Sequence, residues 1–435
     1  MRGFRTPVAM GGILAGLLLF VVAFVLGRAD VAVTGGVLVT AVAIAWRRVP
    51  PAPPGILLTP LDRDAAEEDA GAPGPGPGPG PGPQTMRVRV DVSGPDAELV
   101  RVVATALSVD VHRIAVTGSS SILVRVPLVH SGIRHLLAVT GESVGADGVW
   151  ATRPAEPGIL RSATEPATRA VPFLPVPHAL AGMSGAHEAT RAGDGGEFLE
   201  IRPFASGDRL RRIDWKATAR VGRAPGDLYV RKTYATSDAT IAIVVDDGDD
   251  LSGLTGDWMT GDPLLDAPRS LDVAREAAWS LASAYLDAGD QVSLHVLSRA
   301  GGTVPRGSGA RQRERLRAAI VQVAAGQRIG RERTPRVVPG ALVVVLSTFL
   351  DDDVVRLVDL WRAAGHRVLA IDTLPRLRAE RLTRELAAAS RIVLGEREDR
   401  LRAVGASGAD VLAWDAPAGE RAAALRGFAR ARRRR

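Results

Sequence analysis

Ala239–Asp250 reads ATIAIVVDDGDD, a run of apolar, mostly β-branched side chains that stops on an acidic loop. A short continuous apolar run bounded by turn residues suits a strand buried on both faces. The sequence after it repeats that alternation. Residues 272–289 (DVAREAAWSLASAYLDAG) carry apolar positions at helical spacing, and 291–298 (QVSLHVLS) form the next strand. GGTV at 301–304 adds a short extra strand, and 311–326 (RQRERLRAAIVQVAAG) a second helix. Strands at 341–348 (ALVVVLST) and 366–373 (HRVLAIDT) each precede a helical segment, 351–365 and 376–389. RIVLG (391–395) and ADVLAW (409–414) read as the last short strands. Buried strands alternating with amphipathic helices predict a mostly parallel, Rossmann-like α/β domain over residues 239–428, with a basic tail at 429–435.

Folds of this kind place ligands at the C-terminal ends of their strands. Two acidic loops fall there, Asp246–Asp250 and the segment opening at Ser347. Neither a G-x-G-x-x-G fingerprint after the first strand nor a G-x-x-x-x-G-K-[ST] loop occurs, so nucleotide chemistry has no support. Asp246 and Asp250 are the candidate metal ligands, hard oxygen donors suited to Mg2+ or Ca2+. The plainer reading is a solvated loop turned by Gly248. Asp351–Asp353 likewise suit the opening of a helix, where carboxylates meet unpaired N–H groups.

Upstream lies FLEIRPFASGDRLRRIDWKATARVGR, Phe198–Arg223, in a connector assigned to 186–238. Gly207 and Asp208 read as a turn. The following segment reads as a short helix or irregular connector; if it is helical, Arg211 and Trp215 share one face. Guanidinium groups bind carboxylates bidentately, so Arg202, Arg211, Arg212 and Arg220 with Asp208 and Asp214 suggest an ion-pair hub at a domain junction, anchored by a core-like Trp215. A protein-binding face is the compatible second reading. A nucleic-acid patch lacks interleaved aromatics and a recognised module. A hydrolytic pair of Asp208 and Asp214 has no evident nucleophile set beside it, and neighbouring arginines would depress the carboxyl pKa values that a general acid needs raised.

Before the connector, MRVRVDV (86–92) and SSILVRVPLV (120–129) alternate as strands do, and residues 86–185 are expected to form a β-rich, sandwich-like domain. Its histidines, His112, His130, His135 and His178, are scattered and read as turn or surface residues. Residues 50–85 combine PPAPPG, the acidic DRDAAEED and GAPGPGPGPGPGP, a tether expected to hold the body off a bilayer. Residues 1–49 hold two apolar runs, Val8–Gly27 and Val31–Trp46, separated by Arg28, Ala29 and Asp30. Their lengths suit a transmembrane helical hairpin whose glycines allow close approach. Arg2 and Arg5 before it and Arg47 and Arg48 after it predict cytoplasmic ends by the positive-inside rule.

The chain has no cysteine, which removes disulfides, thiolate catalysis and Cys-ligated zinc. Its formal charge of +7 is spread over membrane flanks, connector and tail, and suits acidic lipid or an acidic protein as well as nucleic acid.

Arg202–Arg220, RPFASGDRLRRIDWKATAR, resembles the signature of the DUF58 family through Arg202, Pro203, Phe204, Gly207, Asp208, Arg211, Ile213, Asp214, Trp215, Ala219 and Arg220, with Phe204 where the family often has Tyr. The resemblance implies a C-terminal domain like that of von Willebrand factor A (vWA). Such domains often carry a metal site opened by D-x-S-x-S. Asp246 takes the first position, Gly248 and Asp250 replace the serines, and Ser347 is followed by Thr348 where an Asp is common. It also implies a MoxR-type AAA+ ATPase partner and no assigned reaction. These readings together predict a multi-pass cell-membrane protein with cytoplasmic soluble domains. It would be a non-enzymatic adaptor that presents a vWA-like domain to protein clients, with no specific nucleic acid; the alternative is a metal-dependent hydrolase using the acidic loops.

Overall fold

The computed structural model describes residues 4–48, 51–64, 85–94, 97–106, 110–145, 148–178, 187–224, 226–255, 258, 268–298, 302–326, 334–378 and 383–431. The glycine–proline run and the end of the basic tail lie outside the described residues. The chain divides into two compact units, one built on residues 1–129 and 133–163, the other on 130–132, 164–262 and 267–435.

Within the first unit, α1 (Pro7–Leu26) and α2 (Ala29–Arg47) form an antiparallel pair, each long and apolar enough to cross a membrane. Gly27 adopts φ 64° to end α1, a conformation open to glycine at little cost. Gly16 and Gly35 set the closeness of the pair: a Cβ on Gly35 would lie 2.9 Å from the Gly16 carbonyl oxygen.

The rest of this unit is two antiparallel sheets. One holds β1 (Phe4–Arg5), β4 (Leu99–Ala106), β5 (Asp110–Val116), β7 (Gly132–Val144) and β8 (Trp150–Ala151) in the order β1-β8-β7-β4-β5, with β9 (Gly158–Thr164) also on β7. The other is β2 (Gly55–Asp64), β3 (Thr85–Ser93) and β6 (Ser120–Pro127), in the order β2-β3-β6. Val88, Val90 and Val92 alternate inward from β3 and share a core with Val100, Val102 and Val139. The two sheets therefore bury a common core.

Two details differ from the tether expected over 50–85. Residues 55–64 form β2, because ILLTPL supplies alternating side chains that pack Ile56 and Leu58 against the core. The hairpin is also joined to the sheet at its base. β1 pairs with β8, the Thr6 N–H donates to the Val149 carbonyl at 3.0 Å, and Ala9, Ala45 and Val149 bury one another. The glycine–proline run therefore connects β2 to β3 of one sheet instead of tethering the domain to the hairpin, from which β2 is separated by residues 48–54 alone.

The second unit contains a long two-stranded ribbon, β10 (His187–Pro203) against β11 (Tyr229–Ser237). It continues into a six-stranded sheet of β12 (Thr240–Val245), β13 (Gln291–Val296), β14 (Thr303–Gly307), β15 (Leu342–Ser347), β16 (Arg367–Asp372) and β17 (Asp410–Ala413). The order is β14-β13-β12-β15-β16-β17, parallel except for β14. Ile241, Ile243 and Val245 face one core with helices Ser270–Asp287, Gly309–Gln322 and Ala418–Ala431. Val343, Val345 and Val244 face another with Asp352–Ala363 and Arg384–Ala406. Following Trp215–Val221, designated α3, these helices are α4 (Ser270–Asp287), α5 (Gly309–Gln322), α6 (Asp352–Ala363), α7 (Arg384–Ala406) and α8 (Ala418–Ala431). Each fully buried Val or Ile of β12 and β15 contributes about 1.5–3 kcal/mol relative to exposure.

Three expectations are corrected in this unit. RIVLG lies inside α7, not in a strand; Ile392 and Val393 are exposed, so the run has no buried face to make a central strand, and its neighbours are strong helix formers. The helix expected from Arg376 starts only at Arg384, where Thr383 Oγ1 accepts the Leu386 N–H at 3.3 Å. The expected domain boundary at 185 falls near 163. Residues 171–178 (VPFLPVPH) make no ladder but run over the α/β domain, their carbonyls bound by the Tyr285 hydroxyl (to Pro175 O, 2.6 Å) and Arg367 (to Val176 O, 2.8 Å). His130 is likewise no surface residue. Its Nδ1 meets Asp272 Oδ2 at 2.7 Å, and the buried Arg275 binds Asp272, Ser131 and the Val323 carbonyl.

Candidate functional site

Two places in the second unit gather the residues singled out in the sequence. The first is the loop between β10 and β11. Pro203 ends β10, and Gly207 (φ 97°) turns the chain. Asp208 organises that turn: Oδ2 accepts the Ala205 N–H at 3.0 Å, while Oδ1 receives Arg202 at 3.0 Å and Lys232 at 2.6 Å. The Lys232 ammonium, the Ala205 N–H and the Arg202 charge hold this carboxyl below the usual range. A 3-10 turn, Leu210–Arg212, follows. Asp214 then caps α3, its Oδ1 accepting the Ala217 N–H at 2.9 Å, while its own N–H bonds the Tyr229 carbonyl. Thr218 Oγ1 accepts the Tyr229 N–H at 3.0 Å, tying α3 back to β11.

The expected arginine–aspartate pairing is seen at Asp208, with Arg202 and an unforeseen partner, Lys232. The Asp214 carboxylate accepts the Ala217 backbone N–H and is not seen on a guanidinium among the described residues. Arg211 and Arg220 are exposed and make no ion pair among the described residues. Arg212 is half-buried. Trp215 is 68% exposed and Leu210 69%, which overturns the core-like anchor expected for Trp215. The break at Ile213 and Asp214 between the 3-10 turn and α3 separates Arg211 from Trp215, so the shared helical face expected for them does not exist. Ala217 and not Trp215 is the buried residue of α3. The outcome is a rigidly braced loop that displays a Trp, a Leu and several cations to solvent.

The second place is the C-terminal edge of the parallel sheet, where β12 and β15 lie side by side and successive connections depart in opposite directions, the crevice at which doubly wound sheets bind ligands. Asp246 directly follows β12 there. Its Oδ2 receives the Ser347 hydroxyl at 2.6 Å and its Oδ1 the Gly248 N–H at 3.1 Å. Ser347 Oγ also accepts the Phe349 N–H at 3.0 Å, so its hydroxyl is committed to the loop. Asp247 accepts the Ser298 N–H at 2.9 Å, and Asp249 the Thr348 hydroxyl at 3.0 Å. Asp250 lies 3.7 Å from Arg269. Asp372, at the end of β16, meets Arg397, whose Nε donates to the Thr348 carbonyl at 2.7 Å. Burial pushes the Asp372 carboxyl above its ordinary range despite Arg397.

These carboxylates already meet partners within the domain. Hydroxyl and amide donors engage both oxygens of Asp246, and Asp250 faces an arginine. Among the described residues no group of three or more His, Asp or Glu side chains is placed to hold a metal ion. Asp246 and Asp250 share the loop, as their spacing implied, but they act within a hydrogen-bonded edge. Lys232, Asp372 and Arg397 were missed in the sequence. Asp372 was accessible by the strand-end rule that found Asp246; Lys232 and Arg397 carried no local signal.

No curated protein and no solved structure matches the chain. Residues 200–384 match the family model DUF58, protein of unknown function, a span that begins within β10, takes in the displayed loop and runs through the crevice edge as far as the start of α7.

Proposed function

We propose that this chain is a membrane-anchored adaptor. Its hairpin holds it in the cell membrane with both ends cytoplasmic, and its vWA-like α/β domain and signature loop present one face to a protein partner. It acts by binding, and remodelling of its client draws energy from a MoxR-type AAA+ ATPase. The observation that carries this reading is the exposed pair Leu210 and Trp215, flanked by Arg211, Lys216 and Arg220, on a loop braced by Asp208, Asp214 and Thr218. Trp and Arg are enriched where binding energy concentrates, and a braced loop presents them at small entropic cost. The doubly wound sheet supports the vWA-like assignment, and the two long apolar helices support the anchor. The committed Ser347 hydroxyl and the internally bonded Asp246 favour binding over hydrolysis.

The test is co-purification of the full chain from solubilised membranes, with bound proteins identified, for wild type and Trp215→Ala. The expected result is capture of an AAA+ ATPase that is lost in the variant while its melting curve is unchanged. Equal capture by both proteins, or a phosphate-ester or peptide hydrolysis abolished by Asp246→Asn, would overturn the proposal.

A further inference from the structure

The base of the hairpin carries a groove of about 420 Å³ lined by Val8 and Gly12 of α1, Leu38, Ala41, Val42 and Ile44 of α2, Arg48, and Val149 of the loop before β8. Val8, Ala41 and Ile44 are exposed, so the groove opens to the outer surface of the helix pair. Its floor is set where Gly12 meets Val42: a Cβ on Gly12 would come 2.7 Å from Val42 Cγ2. From Arg48 down to Leu38 the groove follows ten residues of α2, roughly 15 Å at helical rise. That is about half the ~30 Å hydrocarbon core, the depth of one leaflet.

The mouth of the groove is cationic and aromatic. Arg47 and Arg48 are exposed beside it. Arg5 stacks on Trp46 at 3.9 Å and lies 5.4 Å from Trp150, so its charge is held near the same end. Trp and Arg at this position suit the headgroup level of a bilayer. The acidic residue of the hairpin helices, Asp30, sits at the opposite end of α2 and is bonded to Arg28. An apolar slot one leaflet deep, with guanidiniums at its mouth, matches an acyl chain below a phosphate.

We infer that this groove is a binding site for an anionic phospholipid, one acyl chain lying along Gly12, Ala41 and Val42 and the phosphate meeting Arg48 and Arg47. The inference rests on the membrane-anchored reading. The attached sheet closes the upper wall through Val149, so the lipid would contact the hairpin and the β-rich domain of the same unit together.

The test uses the full chain in mild detergent, with phosphatidylglycerol or phosphatidylcholine added and retained lipid counted by native mass spectrometry. Wild type is expected to retain one phosphatidylglycerol with roughly tenfold preference over phosphatidylcholine, from two arginines near one anionic headgroup. Arg47→Gln combined with Arg48→Gln should erase the preference. Ala41→Phe, at an exposed position, should fill the slot and release both lipids with an unchanged melting curve. Free glycerol phosphate should not displace the lipid, because it lacks the chain. Equal retention of the two lipids by wild type, unchanged preference in the double arginine variant, or displacement by glycerol phosphate would each overturn the lipid site. A chain found in the soluble fraction of intact cells would instead overturn the membrane anchor beneath it.

Discussion

The edge of the parallel sheet and the loop between β10 and β11 are both rich in charge, yet they are built in opposite ways. At the edge, Asp246, Asp247, Asp249 and Asp372 turn toward hydroxyls, amides and Arg397 of the same domain. In the loop, the carboxylates are also spent internally, but on bracing, and the side chains left outward are Leu210, Arg211, Trp215 and Arg220. A dense run of acids at a ligand-binding position invites a metal reading, and here it is part of the domain's own wiring. An arginine-rich loop invites a structural reading, and here most of its residues face water. Buried charge is affordable only when partnered, so partnering marks structure, while an exposed large aromatic on a braced loop calls for another explanation.

The comparison can be broken by stability measurements, beginning with the strongest internal partnering in the same unit. Asp272 receives His130, Ser131 and Arg275, the last of these buried. Asp272→Ala leaves a buried guanidinium without its carboxylate and should lower stability by about 3–5 kcal/mol in urea titrations. Burial alone would raise this carboxyl, but the His130 bond and the Arg275 charge bring it below its ordinary value. A depressed folded value means the contribution is present above the unfolded carboxylate pKa and fades as pH falls through the folded one. Wild type should therefore lose stability on acidification below about pH 4, and Asp272→Ala should lose less over the same window.

Ser347→Ala removes one donor from Asp246 and the acceptor of the Phe349 N–H, and should cost about 1–3 kcal/mol by the same titration. Stability unaffected by this change would show that the edge is not internally wired and would reopen a ligand role for Asp246. Asp214→Ala removes the α3 cap and should cost about 1 kcal/mol. Trp215→Ala should change stability least, by no more than about 0.5 kcal/mol, because its ring faces solvent. Its effect should appear in partner affinity, where a central aromatic anchor is worth about 2 kcal/mol. A large loss of stability in Trp215→Ala would place the ring in a core and erase the contrast between the two regions.

The parts legible in advance were those that local pattern encodes. The apolar runs of β12, β15 and β16, the helical spacing of α4 and the inward alternation of β3 were read correctly because period and burial coincide there. RIVLG failed because a short apolar run is compatible with a strand or a helix, and only the exposure of Ile392 and Val393 in α7 distinguishes them. The proline-rich stretch near Val176 was assigned to the wrong unit because its attachment depends on Tyr285 and Arg367, more than a hundred residues away.

The same division runs through the site. Asp214 followed by Trp215, Lys216 and Ala217 contains its own instruction for a capped helix start, since the cap closes within three residues. Asp208 held by Lys232, Asp372 by Arg397 and His130 by Asp272 depend on surfaces that meet only once the strands are in register. By itself, the order of residues determined where helices and strands could form, that two segments are apolar enough to enter a bilayer, and which loop carries the DUF58-like signature. The folded chain decided which charges are neutralised, that β1 joins the hairpin to a sheet, and that Trp215 faces solvent. Hydrogen-bond caps and side-chain periodicity act over a few residues, whereas burial and ion pairing belong to whichever distant segments the packing brings together.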